Sequence, residues 1–162
     1  MKSLLGYNSI YSMRKFIKGT ITICSSASFY KDVLDIEKRL NKLGFKVMIP
    51  STAYKMKRNK NFDISVYKTW YKNPNHYKKK AKLMNDHFKK VMQADAILVI
   101  NLDKNGTEGY IGGNGLMEMA LAFHYNKPIF IYNNILNDNI FLEEILGMHP
   151  IFIQQDLSKI SF

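Results

Sequence analysis

The stretch that decides the fold is ADAILVIN, residues 94–101, in which five apolar residues follow one another without interruption. An unbroken apolar run of this length is typical of a strand that is covered on both faces of a parallel sheet. A second run, TITICS at Thr20–Ser25, is rich in β-branched residues and predicts another buried strand. Three shorter apolar runs predict the remaining strands, at residues 45–49, 128–132 and 151–153.

Segments in which apolar residues recur with helical spacing separate these strands, at residues 28–43, 74–93, 114–125 and 138–146. Strands that alternate with helices pair in parallel. The sequence therefore predicts an α/β protein with a three-layer Rossmann-like or flavodoxin-like fold and a mostly parallel five-stranded sheet. We expect residues 1–19 to be an N-terminal extension and residues 20–162 to be a single domain, with a basic excursion at about residues 51–73. Ligands of such sheets bind beyond the carboxyl ends of the strands.

The composition excludes several classes of protein. The chain has 162 residues, of which 46% are apolar, and its 10 Tyr, 10 Phe and 1 Trp are too many for an intrinsically disordered chain. No apolar run approaches the roughly 18 residues of a membrane span, so we expect a soluble protein with no membrane partner. The lone cysteine, Cys24, has no partner for an intramolecular disulfide, which fits a reducing compartment. We expect the protein to be cytoplasmic.

The net charge of +11 is concentrated in one segment. Residues 55–90 contain 12 basic and 2 acidic residues, interleaved with aromatic residues that include Tyr67, Trp70 and Tyr71. Basic and aromatic residues together indicate a nucleic-acid partner in some proteins, through phosphate contacts and base stacking. A solvated surface excursion with aromatic side chains packed beneath it is the interpretation that we favour over nucleic-acid binding. A lid that attracts a small anionic substrate is the third interpretation.

The segment GGNGLMEMALAF, residues 112–123, carries the most chemical information. Glu118 is its single charged residue, and it lies in a helix that is otherwise apolar on every side. Such a helix is expected to be buried, which would place the carboxyl group at the ligand crevice and partly out of water. The alternative is a capping-box glutamate at the third helical position, but that position falls on Met117 if Asn114 is the N-cap.

The turn before this helix is suited to an anionic ligand. Asn114 is a good N-cap residue, and Gly112, Gly113 and Gly115 allow backbone amides to approach a ligand closely. At the N-terminus of a helix, the free amides and the helix dipole both favour a negative charge. We therefore expect residues 112–115 to bind the anionic end of a substrate.

These features resemble the nucleoside 2-deoxyribosyltransferase superfamily, which includes the deoxynucleoside 5′-monophosphate N-glycosidases. The similarity extends over residues 20–153 and consists of the strand ADAILVIN, a loop, a glycine-rich turn, a glutamate on the next helix and a strand beginning KPIFIY. The resemblance implies cleavage or transfer at the N-glycosidic bond of a nucleoside or nucleoside 5′-monophosphate, without a cofactor. It also implies a homodimer or a larger homo-oligomer, because active sites in this superfamily often borrow residues from a neighbouring subunit.

The resemblance assigns roles to particular residues. The helix glutamate of the superfamily is the nucleophile that attacks the anomeric carbon, and it corresponds to Glu118. A carboxylate on the preceding helix assists the departing base. The corresponding position here is His87, with Asp86 beside it, and we select Asp86 for this role. A further aspartate of the superfamily, six residues before the nucleophile, is replaced by Gly112.

The remaining candidates lie in loops that follow predicted strands. Ser25, Ser26 and Ser28 have hydroxyl and amide groups that suit a 5′-phosphate, although serines at this point are as often simple caps and turns. Asn101 and Asp103 follow the third strand and are placed for sugar hydroxyls. Tyr110 has two interpretations, a hydrogen bond that orients Glu118 and a packed aromatic side chain in a loop.

Two other functions compete with this assignment. The lysine-decarboxylase-like phosphoribohydrolases cleave the same class of bond and have a GGxGT turn, but here Leu116 stands in place of the threonine. A non-catalytic nucleotide-binding or sensing module of the same fold is the alternative from another class. We expect no metal, because the four histidines have no ligand spacing, at His76, His87, His124 and His149.

Overall fold

The computed structural model describes residues 17–136 and 138–162, so most of the predicted N-terminal extension lies outside the described residues. At its centre is a five-stranded sheet in which all neighbouring strands are parallel, in the order β2-β1-β3-β4-β5. The strands are β1 (Thr20–Ser25), β2 (Lys46–Met48), β3 (Ala96–Ile100), β4 (Ile129–Ile131) and β5 (Ile151–Phe152).

Six α-helices accompany the sheet in the described part of the chain. They are α1 (Tyr30–Lys42), α2 (Ser51–Asn59), α3 (Ile64–Tyr67), α4 (Tyr77–Gln93), α5 (Gly113–His124) and α6 (Leu142–Gly147). Short 3₁₀ helices lie at Ala27–Phe29, Thr69–Tyr71, Pro74–His76 and Leu157–Lys159. None of the helices of residues 17–136 and 138–162 combines the length and the apolar character needed to cross a bilayer.

The apolar residues of β3 pack into two hydrophobic cores, because helices cover the sheet on both faces. Leu98 belongs to the core on one face, where α1 and the C-terminal turn pack, whereas Ile97 and Val99 belong to the core on the other face. The second core also contains Val91 of α4 and Met119 of α5. The result is an α/β fold of three layers, which confirms the predicted fold class.

The strand order creates a crevice between β1 and β3. These strands are neighbours in the sheet, with Ser25 opposite Ile100 at their carboxyl ends. The chain leaves β1 towards β2 on one side and leaves β3 towards β4 on the other. The connecting loops therefore diverge at this point, which is where parallel α/β sheets bind their ligands.

Two predicted segments differ from the observed elements. The excursion at residues 51–73 is largely helical, since it contains α2, α3 and the turn Thr69–Tyr71. The last predicted helix, at residues 138–146, begins only at Leu142. The reason is a local turn in which the Asn139 side chain accepts a hydrogen bond of 2.9 Å from the backbone N–H of Phe141.

Candidate active site

The loops at the carboxyl ends of β1, β2 and β3 enclose a cavity of about 360 Å³. The turn after β1 and the N-terminal end of α5 form one side of it. The helical excursion, here residues 51–73, and α4 form the other side. The cavity lies at the crevice between β1 and β3, and its volume falls in the range of sites for small molecules.

Glu118 lines the inner end of this cavity. Glu118 lies on the side of the helix that faces the sheet and is only 7% exposed. Met117, the preceding residue of the same helix, is 41% exposed. Because α5 begins at Gly113, with Gly112 as the N-cap, Glu118 is the sixth helical residue. A capping-box glutamate occupies the third position, so the capping alternative is excluded.

Glu118 is one of three buried side chains that lie close together. Cys24 of β1 belongs to the sheet face that α4 and α5 cover, and His87 of α4 reaches the same point. The Sγ, imidazole and carboxylate atoms of Cys24, His87 and Glu118 all lie within 4.8 Å of one another. His87 Nε2 is 3.8 Å from Glu118 Oε1, and within the described part of the chain neither ring nitrogen nor Glu118 Oε2 has a hydrogen-bond partner at ordinary distance.

Burial controls the protonation of this cluster. It raises the pKa of Glu118 to about 8, against the opposing effects of the Cys24 thiol and the Lys80 charge. Burial lowers the pKa of His87 to about 4, and the charge of Lys90 acts in the same direction. Burial, followed by the neighbouring Glu118, raises the pKa of the Cys24 thiol well above its ordinary value. The low-dielectric surroundings thus disfavour the charged form of all three side chains.

Three lysines give the cavity wall a positive charge. Lys68 comes from the excursion, Lys80 from α4 and Lys104 from the loop after β3. Among the described residues none of the three forms an ion pair with a carboxylate. All three line one cavity, and burial, followed by the charges of Lys104 and Lys80, lowers the pKa of Lys68. An anion in this space would relieve their repulsion.

The serine turn and the aromatic residues complete the walls. Ser26 Oγ accepts a hydrogen bond of 3.1 Å from Lys104 Nζ, which also lies 4.5 Å from the centre of the Tyr110 ring. Trp70 and Tyr71 of the excursion both line the cavity, Trp70 as a buried side chain and Tyr71 with 73% of its surface exposed. The cavity thus has a cationic and hydroxyl-bearing part and an aromatic part.

Several predicted residues do line this cavity. They are Glu118, Ser25, Ser26, Tyr110, Gly112, Gly113, Asn114 and Gly115. Gly112 is required by a close approach, because a Cβ at this position would lie 2.7 Å from the Tyr110 hydroxyl oxygen. Ser28 is exposed and does not line the cavity, since its backbone N–H instead caps the turn by donating to Ser26 Oγ.

The structure contradicts the choice of Asp86 over His87. Asp86 is half-buried and does not line the cavity, whereas the buried His87 does. Adjacent residues of a helix point about 100° apart, so only one of the two can face the crevice. The charge of Asp86 acts instead on Lys90, whose pKa it raises against the effect of burial.

Asn101 and Asp103 also lie outside the cavity. Asn101 is fully buried and ties the end of β3 to the end of β4. Its Nδ2 donates to the carbonyl oxygen of Asn133 at 3.0 Å, and its Oδ1 accepts from the Asn133 N–H at 2.7 Å. Asp103 Oδ1 accepts a hydrogen bond from the Gly109 N–H, which closes the loop after β3. Both predicted sugar-binding residues therefore have structural partners.

Two further predictions need correction. Tyr110 lines the cavity, but it makes no hydrogen bond to Glu118 among the described residues, because its hydroxyl group lies against Gly112. Asn114 is not the N-cap of α5, since the helix begins at Gly113, two residues earlier than that assignment requires. Asn114 is instead an exposed residue at the mouth of the cavity.

Sequence reasoning missed Cys24 and Tyr30 as site residues. Tyr30 lines the cavity, and burial followed by the charges of Glu118 and Cys24 raises the pKa of its hydroxyl group. Both residues follow or end β1, so the rule that ligands bind at strand carboxyl ends could have found them. Cys24, His87 and Glu118 come together from three separate elements, so the spacing of residues along the sequence does not reveal this cluster.

Comparisons with known proteins provide no identification, because the chain matches neither a protein-family model nor a curated protein sequence. The class of the protein is therefore defined by its architecture and its cavity. It is a three-layer α/β protein with an all-parallel sheet and a ligand-sized cavity at the β1–β3 switch point.

Proposed function

We propose that this protein cleaves the N-glycosidic bond of a nucleoside 5′-monophosphate, with Glu118 as the nucleophile. One observation carries the proposal. The buried carboxyl group of Glu118 lies in a cavity whose wall holds three lysines. Among the residues that the structure describes, one of its oxygens has no hydrogen-bond partner and none of the three lysines is paired with a carboxylate. The resemblance of the glycine turn and helix to the nucleoside 2-deoxyribosyltransferase superfamily supports the same assignment.

The proposed reaction has two steps. A Glu118 carboxylate oxygen forms a bond to the anomeric carbon while the bond to the base nitrogen breaks, and the base leaves with the electron pair. The sugar passes through a state with oxocarbenium character before it becomes an ester of Glu118. Water or a second base then attacks the anomeric carbon and releases the glutamate, so the outcome is hydrolysis or transfer.

His87 is a positioning residue in this scheme. In glycosidases that form a covalent intermediate, the acid that assists the leaving group lies about 5–5.5 Å from the nucleophile, across the scissile bond. His87 Nε2 is only 3.8 Å from Glu118 Oε1, which puts it on the side of the nucleophile. A neutral imidazole at this distance can accept a hydrogen bond from the Glu118 carboxyl group and hold it in position for attack.

The walls of the cavity suggest how the substrate lies. Lys68, Lys104 and Ser26 provide charge and hydrogen bonds for the 5′-phosphate. The amides of residues 112–113, at the positive end of the α5 dipole, lie beside them. Tyr71 provides an aromatic face for the base. Of the three interpretations of the basic segment, these contacts favour a lid that attracts an anionic substrate, and nucleic-acid binding stays an untested prediction.

A non-catalytic nucleotide sensor is the second candidate function. Among the described residues that line the cavity, Glu118 is the only carboxylate, because Asp86 lies outside it and Gly112 stands where the superfamily has an aspartate. Glycosidases usually need two carboxyl groups. A pocket that keeps one of them is compatible with binding without turnover.

Product analysis tests the proposal. The protein is incubated with ribo- and deoxyribonucleoside 5′-monophosphates and with the matching nucleosides, and free base is measured by liquid chromatography. We expect base release from at least one monophosphate, and a loss on the order of 10⁴-fold or more in Glu118→Gln. The matched control is Glu108→Gln, which changes an exposed glutamate outside the cavity and should leave the rate unchanged.

Two results would contradict the proposal, the first in its activity and the second in its nucleophile. Nucleotide binding without base release, with equal affinity in Glu118→Gln, would establish the sensor instead. Base release that survives in Glu118→Gln would remove the assignment of the nucleophile.

We also propose that the active form is a homodimer in the cytoplasm. The support for the dimer is the outer face of α5, which carries exposed Met117 and Ala120 without any charged residue. Met117 also lines the cavity, so a second subunit at this face would border the substrate site. The buried free thiol of Cys24 is compatible with a reducing compartment.

A further inference from the structure

We propose that Cys24, His87 and Glu118 form a binding site for one thiophilic divalent metal ion, with Zn²⁺ as the best match. The three side chains come from β1, α4 and α5, which pack directly on one another. Cysteine sulfur, imidazole nitrogen and carboxylate oxygen are the three ligand types of zinc in proteins. The site is thus held by the rigid body of the fold.

The distances suit such an ion. The candidate ligand atoms all lie within 4.8 Å of one another, and His87 Nε2 is 3.8 Å from Glu118 Oε1. In a tetrahedral zinc site, bonds of about 2.0–2.3 Å place neighbouring ligand atoms about 3.3–3.8 Å apart.

Two of the three ligands have buried polar atoms without a hydrogen bond at ordinary distance. Among residues 17–136 and 138–162 these atoms are both ring nitrogens of His87 and Oε2 of Glu118, with the Ile23 backbone near enough to the imidazole to raise its pKa against the effect of burial. Buried polar atoms are nearly always paired in folded proteins, so three unpaired atoms at one point need an explanation. A metal ion would bind one nitrogen and one carboxylate oxygen at once.

Charge supports the same ion and disfavours others. A thiolate and a carboxylate together neutralise a dication, which reduces the cost of placing these charges in a buried site. The positive charges of Lys80 and Lys90 act on Glu118 and His87 and oppose any cation. Mg²⁺ and Ca²⁺, which need several oxygen ligands, cannot offset this repulsion with one carboxylate, whereas Zn²⁺ gains a strong bond to sulfur.

The metal site and the proposed glycosidase exclude each other at Glu118. A carboxylate that is bound to the ion cannot attack a sugar carbon. Because His87 and Glu118 line the cavity, the ion would reach its site through the cavity. Stoichiometric Zn²⁺ should therefore inhibit base release, and a chelator should restore it.

The test uses Co²⁺ as a spectroscopic substitute for Zn²⁺ on the tag-free full chain, with a phosphine reductant that does not compete for metal. We expect saturation at one ion per chain, a thiolate-to-cobalt charge-transfer band in the near ultraviolet, and loss of that band on addition of Zn²⁺ but not of Mg²⁺. Because Cys24 is the only cysteine, the band in the unmodified protein assigns the ligand even if a Cys24 variant does not fold.

Variants test the other ligands. His87→Gln and Glu118→Gln should each weaken Co²⁺ binding by about 10-fold or more, whereas His76→Gln, at an exposed histidine, should bind as the unmodified protein does. Absence of the charge-transfer band, or binding that both variants leave unchanged, would overturn the metal site. Both readouts are independent of base release, so they stand or fall separately from the proposed glycosidase.

Discussion

Glu118 shows how one residue acquires its chemistry from its position in a helix. A glutamate on the solvent side of α5 would be an ordinary surface charge. On the side towards the sheet, Glu118 is surrounded by Cys24, His87 and the second core, and burial raises its pKa to about 8. A carboxylate of higher basicity is a better nucleophile once it is ionised. The same burial keeps water away from the Glu118 carboxyl group, so that a bound ligand becomes its main hydrogen-bonding or bonding partner.

The lysines of the cavity predict which substrates are recognised. Lys104→Gln and Lys68→Gln each remove a cation from the proposed phosphate site. A hydrogen bond to a charged group contributes about 1.5–3 kcal/mol, so we expect KM for a nucleoside 5′-monophosphate to rise about 10- to 100-fold in each variant. KM for the corresponding nucleoside should change by less than about 2-fold, because no phosphate is present.

Steady-state kinetics with both substrates measures this difference. Lys55→Gln is the matched control, because Lys55 is exposed on α2 and does not line the cavity. If KM rises equally for the nucleoside and the monophosphate, the lysines shape the cavity and do not bind phosphate.

Replacement of Asn101 is expected to lower the stability of the fold. Asn101→Ala removes a fully buried amide that bonds to the backbone of Asn133 and Asn134 and leaves their groups unpaired. Unpaired buried polar groups cost about 1–3 kcal/mol each, and we expect the free energy of unfolding to fall by about 2–4 kcal/mol in urea denaturation. Asn85→Ala, at an exposed site on α4, is the control. A change of less than about 0.5 kcal/mol in Asn101→Ala would show that water replaces these bonds.

At the scale of elements, the strands were the most predictable part of the fold. The β-branched TITICS and the run ADAILVIN both form central strands, because burial on both faces demands apolar residues at every position. Helix starts were less predictable, since they depend on local hydrogen bonds. Asn114 has the residue type of an N-cap, yet α5 begins at Gly113, where the Tyr110 hydroxyl packs against Gly112.

The candidate site could be predicted only in part, because packing between elements decides which side chains face the cavity. Glu118 stands out because it is the only charge in an apolar helix. The choice between Asp86 and His87 depends on which side of α4 faces β1, and the sequence pattern does not determine this to within one residue. Cys24 has no pattern of its own, since its role arises when β1 places it beside two other elements.

We expect Tyr71, an aromatic residue of the excursion, to contact the base of the substrate. Tyr71 lines the cavity and is 73% exposed, as expected of a side chain whose partner is a ligand. Stacking of a base on an aromatic ring contributes about 1–3 kcal/mol, so Tyr71→Ala should raise KM about 5- to 150-fold. Tyr71→Phe should keep the unmodified KM, because it preserves the ring.

Tyr77→Ala separates this effect from a general loss of surface aromatic groups. Tyr77 is also more than half exposed, but it does not line the cavity. Equal KM values in Tyr71→Ala and Tyr77→Ala would show that the base does not contact the excursion.

At the scale of the whole molecule, the two helical layers present different surfaces to solvent. The exposed side of α1 is charged, with Lys31, Asp35 and Lys38. The exposed side of α5 carries Met117 and Ala120 and no charged residue. A solvated helix normally places its charges outward, so the composition of α5 is that of a helix whose outer side is covered.

The proposed homodimer through α5 is based on this difference. Ala120 is exposed and does not line the cavity, so Ala120→Lys places a charge in the proposed interface without changing the substrate site. In a symmetric dimer the two new lysines approach each other, and we expect the mass measured by light scattering to fall from that of a dimer to about 19 kDa. Lys38→Glu, on the charged side of α1, is the control and should remain dimeric. A monomer in the unmodified protein, or a dimer that Ala120→Lys leaves intact, would place the subunit contact elsewhere or remove it, and the cavity would then be complete within one chain.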